Sequence, residues 1–347
     1  YPPEGPPADE PAPPGGSTSE SSLRDRLGGF AARVTGAASV ERLDESFSLR
    51  HLFANSFRRR PQADVEAELM VGTAATTPSL SAVKAEWPQP WLFARTLLAT
   101  AVVFGLFFVG WMVFGAITLL PGLIIVGSFA MPVTVLLFFF EINVVRNVSV
   151  VAVLRMVFLG GTASLLFSLV GFELFDFPWL GAMVAGLIEE PAKLLAVVLV
   201  ARQAQHRFML NGMLFGAAIG AGFAAFESAG YALVAALFAL DNGDVIDNIV
   251  LRGLLAPFGQ VVWTAITAGA LWRVKGSEPL KTEHLKDPRF WRVMILVVAL
   301  HTIWNSPIPD LLYAKYAVLG ALAWLVCFSL LQEGIGQVRD EQRRLGR

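Results

Sequence analysis

The sequence predicts an all-α membrane protein, a polytopic bundle of about eight transmembrane helices with a disordered or weakly helical N-terminal arm. Three observations lead to this fold class. The 347 residues are 55% hydrophobic and only 16% charged, which is too apolar for an ordinary soluble domain. The apolar residues fall into runs long enough to cross a bilayer, which takes about 20 residues. Between these runs, loops that carry basic residues alternate with loops that carry none.

The arm comprises residues 1–90, for which we expect a solvated cytoplasmic segment. Residues 1–22 are rich in Pro, Gly, Ser and Glu and contain no aliphatic side chain larger than Ala, a composition that favours disorder. Residues 23–34 and 63–70 could form short amphipathic helices, and a basic cluster lies between them at residues 58–60. A membrane-surface or regulatory role is the alternative. No charged n-region precedes an apolar h-region, so we expect no signal peptide.

The transmembrane domain is predicted over residues 91–332, followed by a basic cytoplasmic tail over residues 333–347. The predicted spans are 93–115, 117–141, 148–172, 179–200, 210–239, 249–273, 291–306 and 315–332. The seventh span is short because Pro307 and Pro309 close it. The single cysteine, Cys327, lies in the last span and excludes an intrachain disulfide.

The loops assign an orientation to these spans. The loops at 173–178 and 240–248 carry acidic residues but no Lys or Arg. The basic residues lie before the first span and in the loops that alternate with these two; they include Lys84, Arg95, Arg146, Arg202, Arg207, Lys275, Lys281 and Arg289. The positive-inside rule therefore predicts eight spans in the plasma (inner) membrane with both termini cytoplasmic. The net charge of −1 gives no reason to expect a nucleic-acid partner.

The fourth span carries ionisable residues at membrane depth. Glu189 and Glu190 are adjacent, and Lys193 follows Glu189 by one helical turn. Such residues are costly within a bilayer and are usually functional. The spacing predicts an ion pair between Glu189 and Lys193, and Pro191 between them can kink the helix.

Other spans supply polar partners for these carboxylates. Phe223 and Glu227 share one face of the fifth span, as His301 and Asn305 do in the seventh. Arg252 begins the sixth span and Gln260 lies two turns deeper. In the predicted orientation all these groups lie between the midplane and the outer leaflet, which predicts a shared site.

These residue types can hydrolyse an amide bond without a covalent intermediate. The sequence has no His-Glu-x-x-His, Gly-x-Gly-Asp or Gly-x-Ser-Gly motif. A carboxylate in a low-dielectric site can act as a general base on water, and a histidine and an asparagine can stabilise an oxyanion. Alternatively, Glu190, Glu227 and His301 could bind a divalent metal such as zinc.

Three motifs carry a resemblance to a known family. Glu189-Glu190-x-x-Lys193, Phe223-x-x-x-Glu227 and His301-x-x-x-Asn305 resemble signatures of the PrsW family of bacterial intramembrane proteases. That family is related to the CAAX prenyl endopeptidases and bacteriocin-processing proteins. The resemblance covers roughly residues 93–332.

The resemblance implies an intramembrane peptidase that cleaves a membrane protein, such as an anti-sigma factor, on its extracytoplasmic side. It implies that Glu189 and Glu190 activate water, that Glu227 assists, and that His301 and Asn305 stabilise the oxyanion. Lys193, Phe223, Arg252 and Gln260 would support them.

One departure from the family stands at Gln260, where the relatives place a histidine. A carboxamide is a poor base and a poor metal ligand, so a weakened or altered site is one interpretation. The resemblance leaves a metal-dependent and a metal-free glutamate mechanism open.

Two other function classes remain. A proton-coupled transporter could use intramembrane Glu, His and Lys residues, but it predicts internal repeats or polar stripes that reach both faces, and the sequence shows neither. An inactive scaffold that binds transmembrane partners is the third interpretation, which Gln260 favours.

Overall fold

The computed structural model of the protein describes residues 17–44, 46–175, 177–200, 206–238, 242–308 and 313–346. These residues form helices and no strand, so the predicted all-α class is confirmed. The predicted disorder of residues 1–22 falls mostly outside the described residues.

The described part of the N-terminal arm forms three helices. They are α1 (Ser17–Ala38), α2 (Leu49–Leu52) and α3 (Gln62–Leu69), with a 3₁₀ turn at Leu80–Ala82. Helices α1 and α3 include the two segments predicted to be amphipathic.

The arm is not solvated throughout, in contrast to the expectation. Ala38 and Leu52 are fully buried. Backbone carbonyls of the arm accept hydrogen bonds from the ends of later helices, including Ser39 O from Arg273 at 2.6 Å and Ala85 O from Arg339 at 2.6 Å. Residues 39–91 therefore pack along the predicted cytoplasmic ends of the bundle.

Helices follow at each predicted span. They are α4 (Leu92–Met112), α5 (Leu120–Ile142), α6 (Val150–Arg155) joined by a π turn to α7 (Gly161–Leu174), α8 (Val184–Val200), α9 (Met209–Phe238), α10 (Asn242–Leu255), α11 (Gln260–Lys275), α12 (Pro288–Trp304) and α13 (Ala314–Leu345).

Among the described residues, 6 helical segments are long and apolar enough to cross a membrane. The chain is therefore a multi-pass membrane protein. The fourth and seventh predicted spans form α8 and α12, which have 17 residues each and are not among those 6. The count of eight spans stays a prediction.

The sixth predicted span, 249–273, is broken in the structure. Helix α10 ends at Leu255, a 3₁₀ turn covers Ala256–Phe258, and α11 begins at Gln260. Pro257 removes a backbone donor from this region, and Gly259 has a non-helical φ of −121° and ψ of −127°. The break places Gln260 at the first residue of a new helix, with its side chain free to face a neighbouring helix.

Helix α9 lies at the centre of the bundle and approaches α11 through small residues. A Cβ atom added at Gly216 would overlap the carbonyl oxygen of Thr264, and one at Gly220 would lie 2.7 Å from the carbonyl oxygen of Gln260. On the other side of α9, Gly222 contacts the π turn at Val157. These glycines let the neighbouring helices approach α9 closely, as small residues do in membranes.

A buried carboxylate connects α5 to α4. Glu141 accepts hydrogen bonds from three backbone N–H groups at the start of α4: Trp91 at 2.6 Å, Leu92 at 2.7 Å and Phe93 at 3.0 Å. These N–H groups have no partner within the helix. Glu141 therefore fixes the first turn of α4 against the last turn of α5.

Candidate active site

Glu190 is the buried centre of the polar cluster. Its Oε1 atom accepts a hydrogen bond from Lys193 Nζ at 2.5 Å and lies 2.7 Å from His301 Nδ1. All three side chains are almost completely buried. The predicted pairing of Lys193 with Glu189 is wrong. The Lys193 ammonium pairs with Glu190 instead, on the side of α8 that faces α11 and α12.

Glu189 faces Gln260 and His301 instead. Gln260 Nε2 donates to Glu189 Oε2 at 3.1 Å, and Lys193 donates to the amide oxygen of Gln260. These two contacts fix the orientation of the amide, because its oxygen faces an ammonium and its NH₂ group faces a carboxylate. His301 Nε2 lies 3.8 Å from Glu189 Oε2, so each nitrogen of the ring faces one carboxylate.

Glu227 forms a second group with Arg252. The guanidinium donates to Glu227 Oε2 at 2.8 Å through Nη2 and to Ser228 Oγ at 3.0 Å through Nε. It also lies over the ring of Tyr231, 4.5 Å from the ring centroid. Helices α9 and α10 are joined at this point by a partly exposed ion pair.

The two groups border one cavity of about 450 Å³. The predicted site residues that line it are Glu189, Glu227, Arg252, Gln260, His301 and Asn305. Glu190, Lys193 and Phe223 do not line it. Phe223 is buried behind the cavity, with its ring centroid 4.9 Å from Lys193 Nζ. Of the two adjacent carboxylates, Glu189 is therefore the one that can contact a bound molecule.

Sequence reasoning missed several residues of this cavity. They are Ser228, Tyr231, Trp263, Trp304 and Tyr316, among others. Helical spacing could have found Tyr231, one turn after Glu227, and Trp263, nearly one turn after Gln260. Trp263 packs against the His301 ring at a centroid distance of 4.6 Å and restricts its orientation.

A family model described as PrsW family intramembrane metalloprotease matches residues 90–331. The chain belongs to the PrsW family. This PrsW domain is a peptidase that contains all the described site residues. Searches of curated proteins and of solved structures give no match.

The family description implies a metal ion, but the donor atoms of this PrsW domain do not form a set that would hold one. Among the described residues, no group of three or more His, Cys, Asp or Glu side chains could hold a metal ion. Glu189 and His301 Nε2 offer two donors, but their neighbour Gln260 offers a carboxamide. A zinc site with fewer than three strong protein ligands is unusual.

The alternative metal set of Glu190, Glu227 and His301 does not form either. Glu190 contacts His301 through Nδ1 and is neutralised by Lys193, while Glu227 pairs with Arg252. The residues present therefore do not fit the implied metal.

Proposed function

We propose that this PrsW domain hydrolyses a peptide bond of a single-span membrane protein with water activated by Glu189. The observation that carries the proposal is the placement of Glu189. It is the carboxylate of the adjacent pair that lines the cavity, and it faces both the Gln260 amide and His301 Nε2.

Glu189 takes a proton from water as the oxygen attacks the scissile carbonyl carbon. The negative charge that develops on the carbonyl oxygen accepts hydrogen bonds from the side-chain amide of Asn305 and from His301 Nε2–H, which both line the cavity. Because Nδ1 of His301 donates to Glu190, the ring can donate through Nε2 only as an imidazolium, and this charge lies between Glu190 and Glu189. The C–N bond then breaks, and Glu189 returns its proton to the leaving amine. The products are a carboxylic acid and an amine, which become a carboxylate and an ammonium once the acid proton moves to the amine, so atoms and charges balance without a covalent intermediate.

Glu190, Lys193 and Gln260 act as positioning residues in this scheme. Glu190 holds His301 through Nδ1, which leaves Nε2 directed at Glu189 and the cavity. Lys193 keeps Glu190 and the Gln260 oxygen in place, and Gln260 in turn orients Glu189. The resulting chain of contacts fixes both the base and the oxyanion donor before substrate binds.

The proposed substrate is an anti-sigma factor-like protein cut near the outer half of the bilayer. In the predicted orientation, Glu189 lies less than two turns from the outer end of α8, and His301 lies in the last turn of α12. Glu227 would assist by holding Arg252 at the side of the cavity, where the guanidinium can donate to a substrate carbonyl.

A reconstituted proteolysis assay tests the role of Glu189. Glu189→Gln is expected to slow cleavage of a membrane substrate by about 10²- to 10⁴-fold, because the carboxamide cannot accept the proton of water. Glu173→Gln, an exposed position at the end of α7, is the matched control and should cleave normally. Cleavage at the wild-type rate by Glu189→Gln would overturn the mechanism, and proton flux that depends on Glu189 would favour a transporter.

A further inference from the structure

A short basic loop lies against the first turn of α4. It comprises residues 57–60, which are Phe, Arg, Arg and Arg, and is called the arginine loop here. Arg95 in the first turn of α4 donates through Nη2 to two of its carbonyl oxygens, Arg58 O at 3.5 Å and Arg60 O at 3.1 Å. The loop is therefore attached to the start of a membrane-spanning helix.

Trp91 lies between two guanidinium groups at this position. The Cζ atoms of Arg60 and Arg95 are each 4.8 Å from the centroid of its ring. Cation–π contacts of this kind hold a guanidinium in place while its N–H groups stay available. Tryptophan is also the residue most typical of the membrane–water boundary.

The segment before the loop is docked on the bundle. Phe53 packs against Phe93 of α4 and Phe138 of α5 at centroid distances of 5.8 and 6.2 Å. Ser56 is buried and donates to the carbonyl of Pro90 at 3.4 Å. The arginine loop is thus held in a defined place, with the side chains of Phe57, Arg58 and Arg59 exposed and that of Arg60 half-buried over Trp91.

The loop lies at the edge of a lipid-facing surface. Leu98, Val102 and Leu106 of α4 are 54%, 62% and 68% exposed, which is expected of side chains that contact acyl chains. The apolar part of α4, residues 97–112, is about 24 Å long at about 1.5 Å per residue. It fills most of a hydrocarbon core, which leaves Arg95 at the level of the headgroups.

The charge of the loop matches those headgroups. Arg58 and Arg59 are exposed, and within the described part of the chain neither they nor Arg95 has an acidic ion-pair partner. Arg60 lies 3.8 Å from Asp64. Phe57 is 80% exposed beside them. An apolar ring next to unpaired guanidinium groups is the combination that binds membrane surfaces, and guanidinium forms two parallel hydrogen bonds with a phosphate.

We propose that the arginine loop binds the headgroups of anionic phospholipids in the leaflet at the start of α4, with Phe57 inserted between them. The positive-inside orientation makes this the cytoplasmic leaflet, which is the anionic one. The interaction fixes the depth of α4 in the bilayer and connects the N-terminal arm to the membrane.

Native mass spectrometry of the full chain in detergent tests the proposal with phosphatidylglycerol and phosphatidylcholine as probes. Arg58→Gln/Arg59→Gln is expected to weaken phosphatidylglycerol binding roughly 30-fold, since each basic residue near an anionic surface contributes about fivefold. The matched control Arg343→Gln/Arg344→Gln removes two exposed arginines from the end of α13 and should bind like the wild type.

Three results would overturn the proposal. In the first, the loop variant binds phosphatidylglycerol as well as the wild type does. In the second, the tail control loses as much phosphatidylglycerol binding as the loop variant. In the third, the wild type retains phosphatidylcholine as well as phosphatidylglycerol. Circular dichroism checks that the loop variant is folded. Arg58→Lys/Arg59→Lys preserves the charge and should retain most of the binding; if it binds as weakly as the Gln variant, the attraction is not electrostatic.

Discussion

Lys193 carries a positive charge in the interior of the bundle, where it has no exposed surface. Its ammonium donates to Glu190 and Gln260 and lies 4.9 Å from the ring centroid of Phe223. Two hydrogen bonds and an aromatic face replace the water that the group loses. The buried ammonium of Lys193 is therefore stabilised by the Glu190 carboxylate, and the carboxylate is stabilised by the ammonium.

Removing Lys193 alone should destabilise the protein more than removing both charges. Lys193→Met leaves the buried Glu190 without its cation, for which we expect a loss of about 3–5 kcal/mol. Glu190→Gln/Lys193→Met removes the pair and leaves a group that can still hydrogen-bond to His301, so most of the loss should be recovered. Unfolding in mixed detergent measures the stability of the single and the double variant. A double variant as unstable as Lys193→Met would contradict the pairing.

Gln260 determines whether the cavity can bind a metal. An imidazole at this position would join Glu189 and His301, which already place Oε2 and Nε2 3.8 Å apart. Three such ligands are what zinc requires. Gln260→His is therefore expected to retain about one zinc per chain after dialysis, as measured by elemental analysis.

Phe30→His on α1 is the control for added histidine, because this position is 45% exposed and has no acidic residue one helical turn before or after it. It should retain no more zinc than the wild type. If the wild type retains zinc as well as Gln260→His does, the argument from the donor atoms is wrong. Activity is not needed for this test, so it stands apart from the proposed hydrolysis.

The contact between α9 and α11 determines where Gln260 and Glu227 lie, because each residue belongs to one of the two helices. This contact depends on glycine at a few positions. Gly216→Ala would push a methyl group against the Thr264 carbonyl, which is rigid helix backbone. We expect a loss of about 1–3 kcal/mol in unfolding free energy.

The same helix supplies the control. Gly230 lies in α9 with no atom within 4 Å of an added Cβ, so Gly230→Ala should be neutral or gain up to about 1 kcal/mol from helix propensity. Equal stability of the two variants in mixed-detergent unfolding would contradict the close approach. The rate of substrate cleavage by Gly216→Ala should also fall, because the helices that carry the site separate.

Helix positions were predictable from hydropathy, but the break between α10 and α11 was not. The hydropathy averaged over residues 249–273 does not reveal the break at Pro257 and Gly259, because the other residues are mostly apolar. A proline within a span also need not end the helix. The pairing of Lys193 was missed for a related reason. The spacings to Glu189 and Glu190 are both compatible with a helix, and only the neighbouring helices decide between them.

At the scale of the whole molecule, the sequence predicted the shared site because costly polar groups in separate spans must find one another. It did not predict how the arm packs. Hydrogen bonds from side chains to the carbonyls of the arm leave no periodic pattern in the sequence. His206, in the polar segment between the fourth and fifth predicted spans, is buried beside Phe215. Burial lowers the pKa of His206 below its usual value.

The number of membrane crossings decides which side of the membrane the site faces. Helices α8 and α12 have 17 residues each, about 25 Å of helix, which is slightly less than a hydrocarbon core of about 30 Å. The 3₁₀ turn at Pro178–Met183 extends α8. We predict that both cross, which gives eight spans and places the termini on the cytoplasmic side.

Two variants, each with one added cysteine, separate eight crossings from six. The natural Cys327 is buried and should not react. With eight crossings, an exposed residue at 173 lies outside and one at 277 lies in the cytoplasm. If α8 and α12 do not cross, an odd number of crossings precedes both positions, so they lie on the same side. We expect a membrane-impermeant maleimide to label Glu173→Cys on intact cells and Ser277→Cys only after lysis; labelling of both from one side would rule out eight spans and the outward-facing site.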